Sequence, residues 1–257
     1  MKDIEALADV FTTMLLLSEH RGPYATGVAW VKKDGTMQVA KEALPARQFV
    51  QTGSYLNWLL GIDRQITYLM GHTRWPSRGH VRNPDENHPI CCAPPILVTH
   101  NGTVVDHVRH AARLRLTRTT QVDSELLARI AQHYTGITGI DLDAVLADIA
   151  PLDGSMSLAL VATTRSEEII LLKGNMPLEV CIQPRTRVLL YASEARILDR
   201  VLGDEAGWEP LVLAHGEGLV INTQAWTMRR VPFTFQGIAC ATGNNYTGAS
   251  LRKDQQR

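Results

Sequence analysis

The side chains best suited to chemistry fall in two short clusters, each of which follows an apolar run of the sequence. An Arg-Trp pair, Arg74-Trp75, follows the first run, and an Asn-Gly pair, Asn101-Gly102, follows the second. A planar guanidinium matches the two oxygens of a carboxylate. A side-chain amide beside a glycine N–H can direct two donors at one developing oxyanion. The clusters therefore predict a site that grips a carboxylate and stabilises negative charge on an oxygen.

Each cluster taken alone also has an ordinary structural explanation. Asn-Gly is commonest in tight turns, and an Arg beside a Trp is commonly surface packing. The order of the clusters favours function, as does a third motif, Asp-Ser-Glu at 123–125, about a helix further along the chain. A helix N-cap would by itself explain the carboxylate of Asp123, and the two roles can coexist.

These motifs together resemble the glutaminase domain of class II glutamine amidotransferases, such as those of glucosamine-6-phosphate synthase and amidophosphoribosyltransferase. The resemblance covers about residues 3–235. It rests on seven segments in the family's order: Arg21-Gly22 with Gly27, His-Thr-Arg-Trp at 72–75 with Gly79, Asn-His-Pro at 87–89, His-Asn-Gly at 100–102, Asp-Ser-Glu at 123–125, Lys-Gly-Asn-Met-Pro-Leu at 173–178 and Tyr-Ala-Ser-Glu at 191–194.

The resemblance implies an α+β fold of the N-terminal-nucleophile (Ntn) hydrolase type. This is an αββα four-layer sandwich of two stacked, mainly antiparallel sheets flanked by helices. It also implies a pocket for L-glutamine or a similar small amino acid, with no cofactor and no metal.

The resemblance further assigns roles to single residues. Arg74 would hold the α-carboxylate of the ligand, Asp123 its α-ammonium, and Asn101 with Gly102 would form the oxyanion hole. Trp75 would close over the site on a mobile loop. Arg21 would hold the surroundings of the nucleophile in place, although a surface ion pair explains it equally well.

The family's nucleophile, a cysteine at the mature N-terminus, has no counterpart in the sequence as written. The chain begins Met1-Lys2-Asp3, already inside its first predicted helix, and an internal cysteine has no α-amine to manage the proton. The sequence departs from the family at two further places: Tyr24 replaces an acidic residue, and Pro-Ser-Arg at 76–78 replaces Ala-Thr-His. We therefore expect a glutaminase-type domain that is inactive as written but keeps its glutamine pocket.

Two alternatives stay open. One is an active glutaminase with a mis-assigned start, which would supply ammonia to a separate acceptor enzyme. The other is a structural or assembly subunit on the same fold, for example in a homo-oligomer.

The end of the chain offers a replacement for the missing opening strand. Gln-Gly-Ile-Ala-Cys-Ala-Thr-Gly at 236–243 is similar to that strand, with Gln236 at the place of the nucleophile. Two interpretations stay open: 236–243 fills the slot as a circular permutation would, since an open slot would expose strand edges, or the segment is an ordinary polar tail. The amidotransferase-like domain would then be 1–235, followed by the segment 236–257, whose tail from about 244 we expect to be mobile.

The bulk composition narrows the class of protein. The 257 residues are 45% hydrophobic and 20% charged, which suits one large domain or at most two. A net charge of zero and a pI near 7.1 argue against nucleic-acid and membrane-surface binding. Asp3, Glu5 and Asp9 stand where an export signal would be basic, and no apolar run has the length of a membrane span. We expect a cytoplasmic setting with reduced cysteines; these are Cys91, Cys92, Cys181 and Cys240.

Hydrophobic periodicity and turn residues predict the elements that must position these side chains. Helices are predicted at 3–20, 46–61, 104–114, 123–134, 142–149 and 194–202. Strands are predicted at 25–33, 36–42, 66–71, 96–100, 156–163, 169–173, 178–182, 188–192, 218–222 and 226–235. Asp34-Gly35 is predicted as a two-residue hairpin turn. His107, His110 and Arg113 are predicted to form a solvated helix face.

Overall fold

A computed structural model describes residues 4–93 and 95–238 of the chain. Its helices are α1 (Ile4–Ser18), α2 (Ala46–Phe49), α3 (Gly53–Leu59), α4 (His107–Arg113), α5 (Ser124–His133), α6 (Leu142–Ile149) and α7 (Ala195–Leu202). Its strands are β1 (Ala25–Lys32), β2 (Met37–Glu42), β3 (Ile66–Arg74), β4 (Ile90–Cys92), β5 (Ile96–Val104), β6 (Thr135–Gly136), β7 (Gly139–Ile140), β8 (Gly154–Ala162), β9 (Glu168–Lys173), β10 (Glu179–Gln183), β11 (Val188–Ala192), β12 (Glu209–Pro210), β13 (Glu217–Asn222) and β14 (Thr227–Pro232).

The larger strands form one six-stranded sheet and two three-stranded sheets. The six-stranded sheet has the order β14-β13-β9-β8-β5-β4, and the smaller sheets have the orders β2-β1-β3 and β11-β10-β12. Every strand pairing among the described residues is antiparallel. The α+β class with antiparallel sheets is therefore confirmed.

Apolar packing shows how the sheets and helices stack. One core joins the inner faces of the sheets, for example Val31 and Met70 against Leu97 and Leu171. A second core joins the six-stranded sheet to α5 and α6. A third core joins the sheet β2-β1-β3 to α1, α2 and α3. A fourth core joins the sheet β11-β10-β12 to α1 and α7. The helix α1 thus contributes to both of the cores that lie outside the small sheets.

Several predicted boundaries differ from those observed, each for a local reason. The strand predicted at 96–100 continues to Val104, because its partner β8 pairs with it over its whole length. The helix predicted at 46–61 is two short helices, and Thr52 caps the second by accepting a hydrogen bond from Tyr55 N–H. The predicted two-residue hairpin turn is a connection of four residues, 33–36.

Two further predictions about side chains and segments need correction. His107 and His110 are buried rather than solvated, because α4 packs them inward, and only Arg113 of that trio is exposed. The first three residues of the predicted replacement strand, 236–238, form a helical turn, and residues 239–243 lie outside the described part of the chain.

Two classes of feature are missing from the described ranges. No helix there is long and apolar enough to cross a lipid bilayer. Residues 4–93 and 95–238 also contain no group of three or more His, Cys, Asp or Glu side chains placed to hold a metal ion.

The loop before α5 is held by a buried carboxylate. Glu125 is 2% exposed and accepts hydrogen bonds from the backbone N–H and hydroxyl groups of Thr119 and Thr120. Arg129, one turn further along α5, forms an ion pair with it at 3.0 Å. Burial raises the pKa of Glu125, but the hydrogen bonds outweigh that effect and lower it overall.

Removing the charge of Glu125 should therefore destabilise the fold. We expect Glu125→Gln to lower the free energy of unfolding at pH 7 by about 2–4 kcal/mol, because buried donors lose their ionised acceptor. Because the pKa is lower in the folded state, this contribution is present above the ordinary glutamate pKa and is lost as pH falls through the folded-state value. Urea denaturation at pH 7 and at pH 4 measures it.

Glu205→Gln is the matched control, because the Glu205 side chain is exposed. It should change stability by less than about 0.5 kcal/mol. Equal effects of the two substitutions at pH 7 would contradict the structural role given to Glu125.

Candidate functional site

A large cavity lies between the six-stranded sheet and the small sheets and is lined by every predicted site residue. Its volume is about 1570 Å³. Its lining includes the residues predicted for ligand binding and for the oxyanion hole: Arg21, Arg74, Trp75, Asn101, Gly102 and Asp123. The structure thus brings together residues that are up to about a hundred positions apart in the sequence.

The predicted oxyanion donors lie within β5 rather than after its end. Asn101 pairs with Ser157 and Gly102 with Met156 in the β5–β8 ladder. Gly102 has φ of 141°, and a Cβ at that position would lie 2.0 Å from the carbonyl oxygen of Ser155. Only glycine fits this backbone, and the turn explanation for Asn-Gly does not apply here.

The Asn101 side chain is oriented by partners on both of its polar atoms. Its Oδ1 accepts a hydrogen bond from Arg21 Nη2 at 3.3 Å, and its Nδ2 donates to the carbonyl of Pro177 at 3.4 Å. Arg21 is in turn paired with Glu194 through Nη1 at 2.9 Å. Arg21 therefore forms an ion pair, as its structural explanation predicted, and also contacts Asn101; its predicted role beside a nucleophile stays a prediction.

Asp123 stands immediately before α5 but does not cap it with its side chain. Its Oδ2 accepts a hydrogen bond from Val104 N–H at 2.7 Å, which ties the start of α5 to the end of β5. The carboxylate is 1% exposed and lines the cavity. A helix cap is therefore not the reason for a carboxylate at this position.

His100 connects the same two elements from inside β5. Its Nε2 donates to the carbonyl of Ser155 at 3.1 Å, which leaves Nδ1 to accept from the Ser124 hydroxyl at 2.9 Å. Burial lowers the pKa of His100, although the carboxylate of Asp123 opposes the effect. A neutral imidazole next to Asn101 thus joins β5 to β8 and to the start of α5.

Arg74 is the last residue of β3, and the residue is almost fully buried, at 4% exposure. It donates to Asn87 Oδ1 at 2.7 Å and to the carbonyl of Arg78. A guanidinium has five N–H donors, so these two bonds leave three for a ligand. Burial lowers the pKa of Arg74, and the nearby carboxylates of Glu86 and Asp123 counteract that shift.

The long loop after Arg74 is anchored by a second buried carboxylate, Glu86. It accepts hydrogen bonds from the N–H groups of His80 and, at 2.9 Å, of Gln121. These bonds join the loop to the segment that leads into Asp123. The position of Arg74 relative to Asp123 is therefore set by loop contacts as well as by the strands.

Trp75 lies at the open side of the cavity. It is 61% exposed, and its ring packs edge-on against Tyr24 with centroids 5.0 Å apart. Tyr24 does not line the cavity itself but supports the Trp75 ring, and an aromatic ring at the cavity rim can exclude water from a ligand.

Two histidines that line the cavity, His72 and His88, stack with ring centroids 4.2 Å apart. His72 Nδ1 and both ring nitrogens of His88 are buried without a hydrogen-bond partner among the described residues. Burial lowers the pKa of His72 to about 3 and that of His88 well below its ordinary value. Both rings are therefore neutral near pH 7 and add no competing positive charge beside Arg74.

No cysteine in the described ranges lines the cavity. Cys91, Cys92 and Cys181 lie elsewhere as free thiols. Burial raises the pKa of all three, that of Cys92 to about 11. None of them is an activated thiolate at neutral pH.

Several residues that shape the site were not predicted for it: His72, Glu86, Asn87, His88, His100 and Glu194. Four of the motifs in the sequence contain all of them except Glu86, so their presence was visible. The partners of these side chains could not be predicted, because the hydrogen bond from Arg74 to Asn87 and the ion pair of Arg21 with Glu194 join distant segments.

Comparison with known proteins identifies the relatives of the chain. No protein-family model matches it. It is 30% identical over 201 residues to glutamine–fructose-6-phosphate aminotransferase (isomerizing) of Aquifex aeolicus, a match that covers 70% of this chain and 32% of that enzyme. It is 25% identical over 198 residues to the enzyme of the same name from Idiomarina loihiensis, covering 70% and 31%. The chain thus spans about a third of the length of these relatives.

Solved structures show the same fold. The glutamine phosphoribosylpyrophosphate (PRPP) amidotransferase of B. subtilis superposes with a TM-score of 0.69 at 20% identity, covering 88% of this chain and 47% of that one. A glutamine aminotransferase class-II domain protein from Silicibacter pomeroyi superposes with a TM-score of 0.54 at 15% identity, covering 82% and 97%. The chain is a class II glutamine amidotransferase domain, related to the glutaminase domains of glutamine–fructose-6-phosphate aminotransferase and PRPP amidotransferase.

Proposed function

We propose that the domain binds L-glutamine, or a small amino acid of similar shape, in the cavity between its sheets. The observation that carries the proposal is the convergence of a buried guanidinium, a buried carboxylate and the Asn101–Gly102 pair on one cavity. The guanidinium is opposite in charge to an α-carboxylate, and the protein carboxylate is opposite in charge to an α-ammonium. The N–H groups of the Asn101–Gly102 pair can donate hydrogen bonds to a side-chain carbonyl of the ligand. The layered packing supports the finer fold assignment as well, an αββα sandwich of the Ntn hydrolase type.

The proposed orientation of the ligand follows from the chemistry of the side chains that line the cavity. Two of the three unused donors of Arg74 take the two oxygens of the α-carboxylate in a charge-assisted pair. Asp123 uses one oxygen for Val104 N–H, and its other oxygen takes the α-ammonium. The ligand's amide carbonyl then faces Asn101 and Gly102, the donors that β5 holds in place. Trp75, against which Tyr24 packs, covers the ligand at the rim of the cavity.

We infer that the described residues recognise this ligand without hydrolysing it. Amide hydrolysis by acyl transfer needs a nucleophile near the oxyanion donors, and no cysteine in the described ranges lines the cavity. Oxyanion donors alone contribute only part of the catalytic power of such a site. The domain therefore acts as a glutamine-binding module.

The ammonium contact is tested by changing Asp123 and the ligand in turn. By isothermal titration calorimetry, Asp123→Asn should weaken L-glutamine binding by about 10- to 100-fold, the scale of one charged hydrogen bond. Asparagine can still accept from Val104 N–H, so the fold is expected to survive. The same substitution should leave the binding of 4-carbamoylbutanoate unchanged, because that ligand has no α-ammonium.

Equal losses for the two ligands would contradict the contact between Asp123 and the ammonium. Failure of the unmodified protein to bind L-glutamine at millimolar concentration would contradict the proposal as a whole.

The carboxylate contact is tested at Arg74. Arg74→Lys keeps the charge but removes the planar fork, and it should weaken L-glutamine binding by about tenfold or more. Arg78→Ala is the matched control in the same loop, because the Arg78 side chain is exposed and only its carbonyl contacts Arg74. Indistinguishable affinities in the two variants would exclude Arg74 as the carboxylate ligand.

The absence of hydrolysis is tested separately. The purified protein should release no ammonia from L-glutamine above the rate of a sample without protein, as measured by a coupled glutamate dehydrogenase assay. Release that is abolished by Asn101→Ala would show that the cavity hydrolyses glutamine and would overturn the inactive assignment.

A further inference from the structure

The cavity is larger than a free amino acid needs. Sites for small molecules have volumes of about 300–1,000 Å³, whereas the volume of this cavity is about 1570 Å³. L-Glutamine is at the small end of that class of ligand. The lining beyond the proposed amino-acid contacts therefore bears on what else the ligand carries.

The order of residues along β5 shows where that lining begins. Asp123 accepts its hydrogen bond from Val104, the last residue of β5, and Arg74 is the last residue of β3. Asn101 precedes Val104 on β5, and Thr99 precedes Asn101. Because alternate side chains of a strand point to the same face, Thr99 lies on the face of Asn101, roughly 7 Å further along β5. A ligand held at Asp123 and Arg74 therefore directs its amide nitrogen along β5 toward Thr99.

A mainly apolar part of the cavity adjoins Thr99, and we call it the tail compartment. The Tyr191 hydroxyl interacts with the Thr99 side chain and meets the Tyr68 hydroxyl at 2.8 Å, and the two rings stack with centroids 6.2 Å apart. The two phenols are thus partners of each other. The tail compartment is defined by six uncharged residues of the cavity lining: Thr99 on β5, Tyr68 on β3, Leu189 and Tyr191 on β11, and Phe11 and Met14 on α1.

Helix α1 covers the tail compartment because it reaches from one small sheet to the other. Phe11 lies against β3, where a Cβ on Gly71 would be 3.0 Å from Phe11 Cζ. Met14 packs against the β11 residues Leu190 and Ala192. Phe11 and Met14 are only partly buried. An apolar group of a ligand would gain free energy by covering their remaining surface.

We propose that the ligand is a γ-glutamyl amide, an L-glutamine whose amide nitrogen carries an apolar group, and that this group occupies the tail compartment. The inference rests on the proposed amino-acid site and refines its ligand. Replacing one amide hydrogen leaves the carbonyl free to accept from Asn101 and Gly102, and it leaves both α-groups unchanged. The amino-acid contacts then recognise the γ-glutamyl part, and the tail compartment selects the substituent by its size and polarity.

Isothermal titration calorimetry with three ligands tests the tail compartment. γ-L-Glutamylbenzylamide should bind about tenfold or more tightly than L-glutamine, because its benzyl group becomes buried against apolar side chains. N-Benzylacetamide has the same amide and ring without the amino-acid part, and it should bind about tenfold or more weakly than γ-L-glutamylbenzylamide. Arg74→Lys should weaken the binding of both amino-acid ligands by the same factor, because the benzyl group lies away from Arg74.

A pair of variants in α1 locates the benzyl group. Met14→Gln keeps the length and helix propensity of the side chain but makes it polar, so it should lower the preference for γ-L-glutamylbenzylamide over L-glutamine by about threefold or more. Leu16→Gln is the matched control, because Leu16 is 39% exposed and points away from Met14 on the helix. It should leave the preference unchanged.

The outcomes separate this inference from the proposed function. If L-glutamine binds and γ-L-glutamylbenzylamide binds equally or more weakly, the inference is overturned and the amino-acid site stands. An unchanged preference in Met14→Gln, or benzylamide binding that is insensitive to Arg74→Lys, would also overturn it. Failure of both amino-acid ligands to bind would overturn the proposed function, and the inference with it.

Discussion

The hydrogen bond from Val104 N–H to the Asp123 carboxylate is the constraint on which the rest of the site depends. It joins the end of β5 to the start of α5 at 2.7 Å, in a region where both groups are nearly inaccessible to water. Because β5 is held along its length by β8, this one bond fixes a carboxylate at a set distance from the Asn101–Gly102 pair. His100 reinforces the junction through Ser124 and Ser155. A buried carboxylate with one satisfied oxygen is then available on the cavity side.

Arg74 reaches the same cavity from the other layer of the fold. Its strand belongs to a small sheet, and the apolar core between the sheets sets how closely that strand approaches β5. The loop anchored by Glu86 then links Arg74 to the approach of α5. Positive and negative groups are thus placed on opposite layers, with neutral histidines beside them. This separation is suited to a zwitterion, whose two charged groups lie on either side of one carbon.

Much of this arrangement could be predicted from the sequence, because the main helices and strands have clear periodicity. The clusters at Arg74 and Asn101 line one cavity, although Arg74 and Asn101 lie within β3 and β5 rather than after these strands, and their roles in binding stay predictions. The continuation of β5 through Asn101-Gly102 was missed, because Asn-Gly favours turns and only the pairing with β8 overrides that preference. The side-chain partner of Asp123 could not be predicted either. A carboxylate before a helix ordinarily caps it, and the competing donor, Val104 N–H, becomes close only in the folded chain.

The central claim is that Arg74, Asp123 and the Asn101–Gly102 pair recognise one amino acid together. A crystal structure of the protein soaked with L-glutamine tests it most directly. We expect the α-carboxylate within about 3 Å of Arg74, the α-ammonium equally close to Asp123, and the amide carbonyl directed at Asn101 and Gly102. Density for glutamine outside this cavity, or in it with the α-carboxylate turned away from Arg74, would contradict the account.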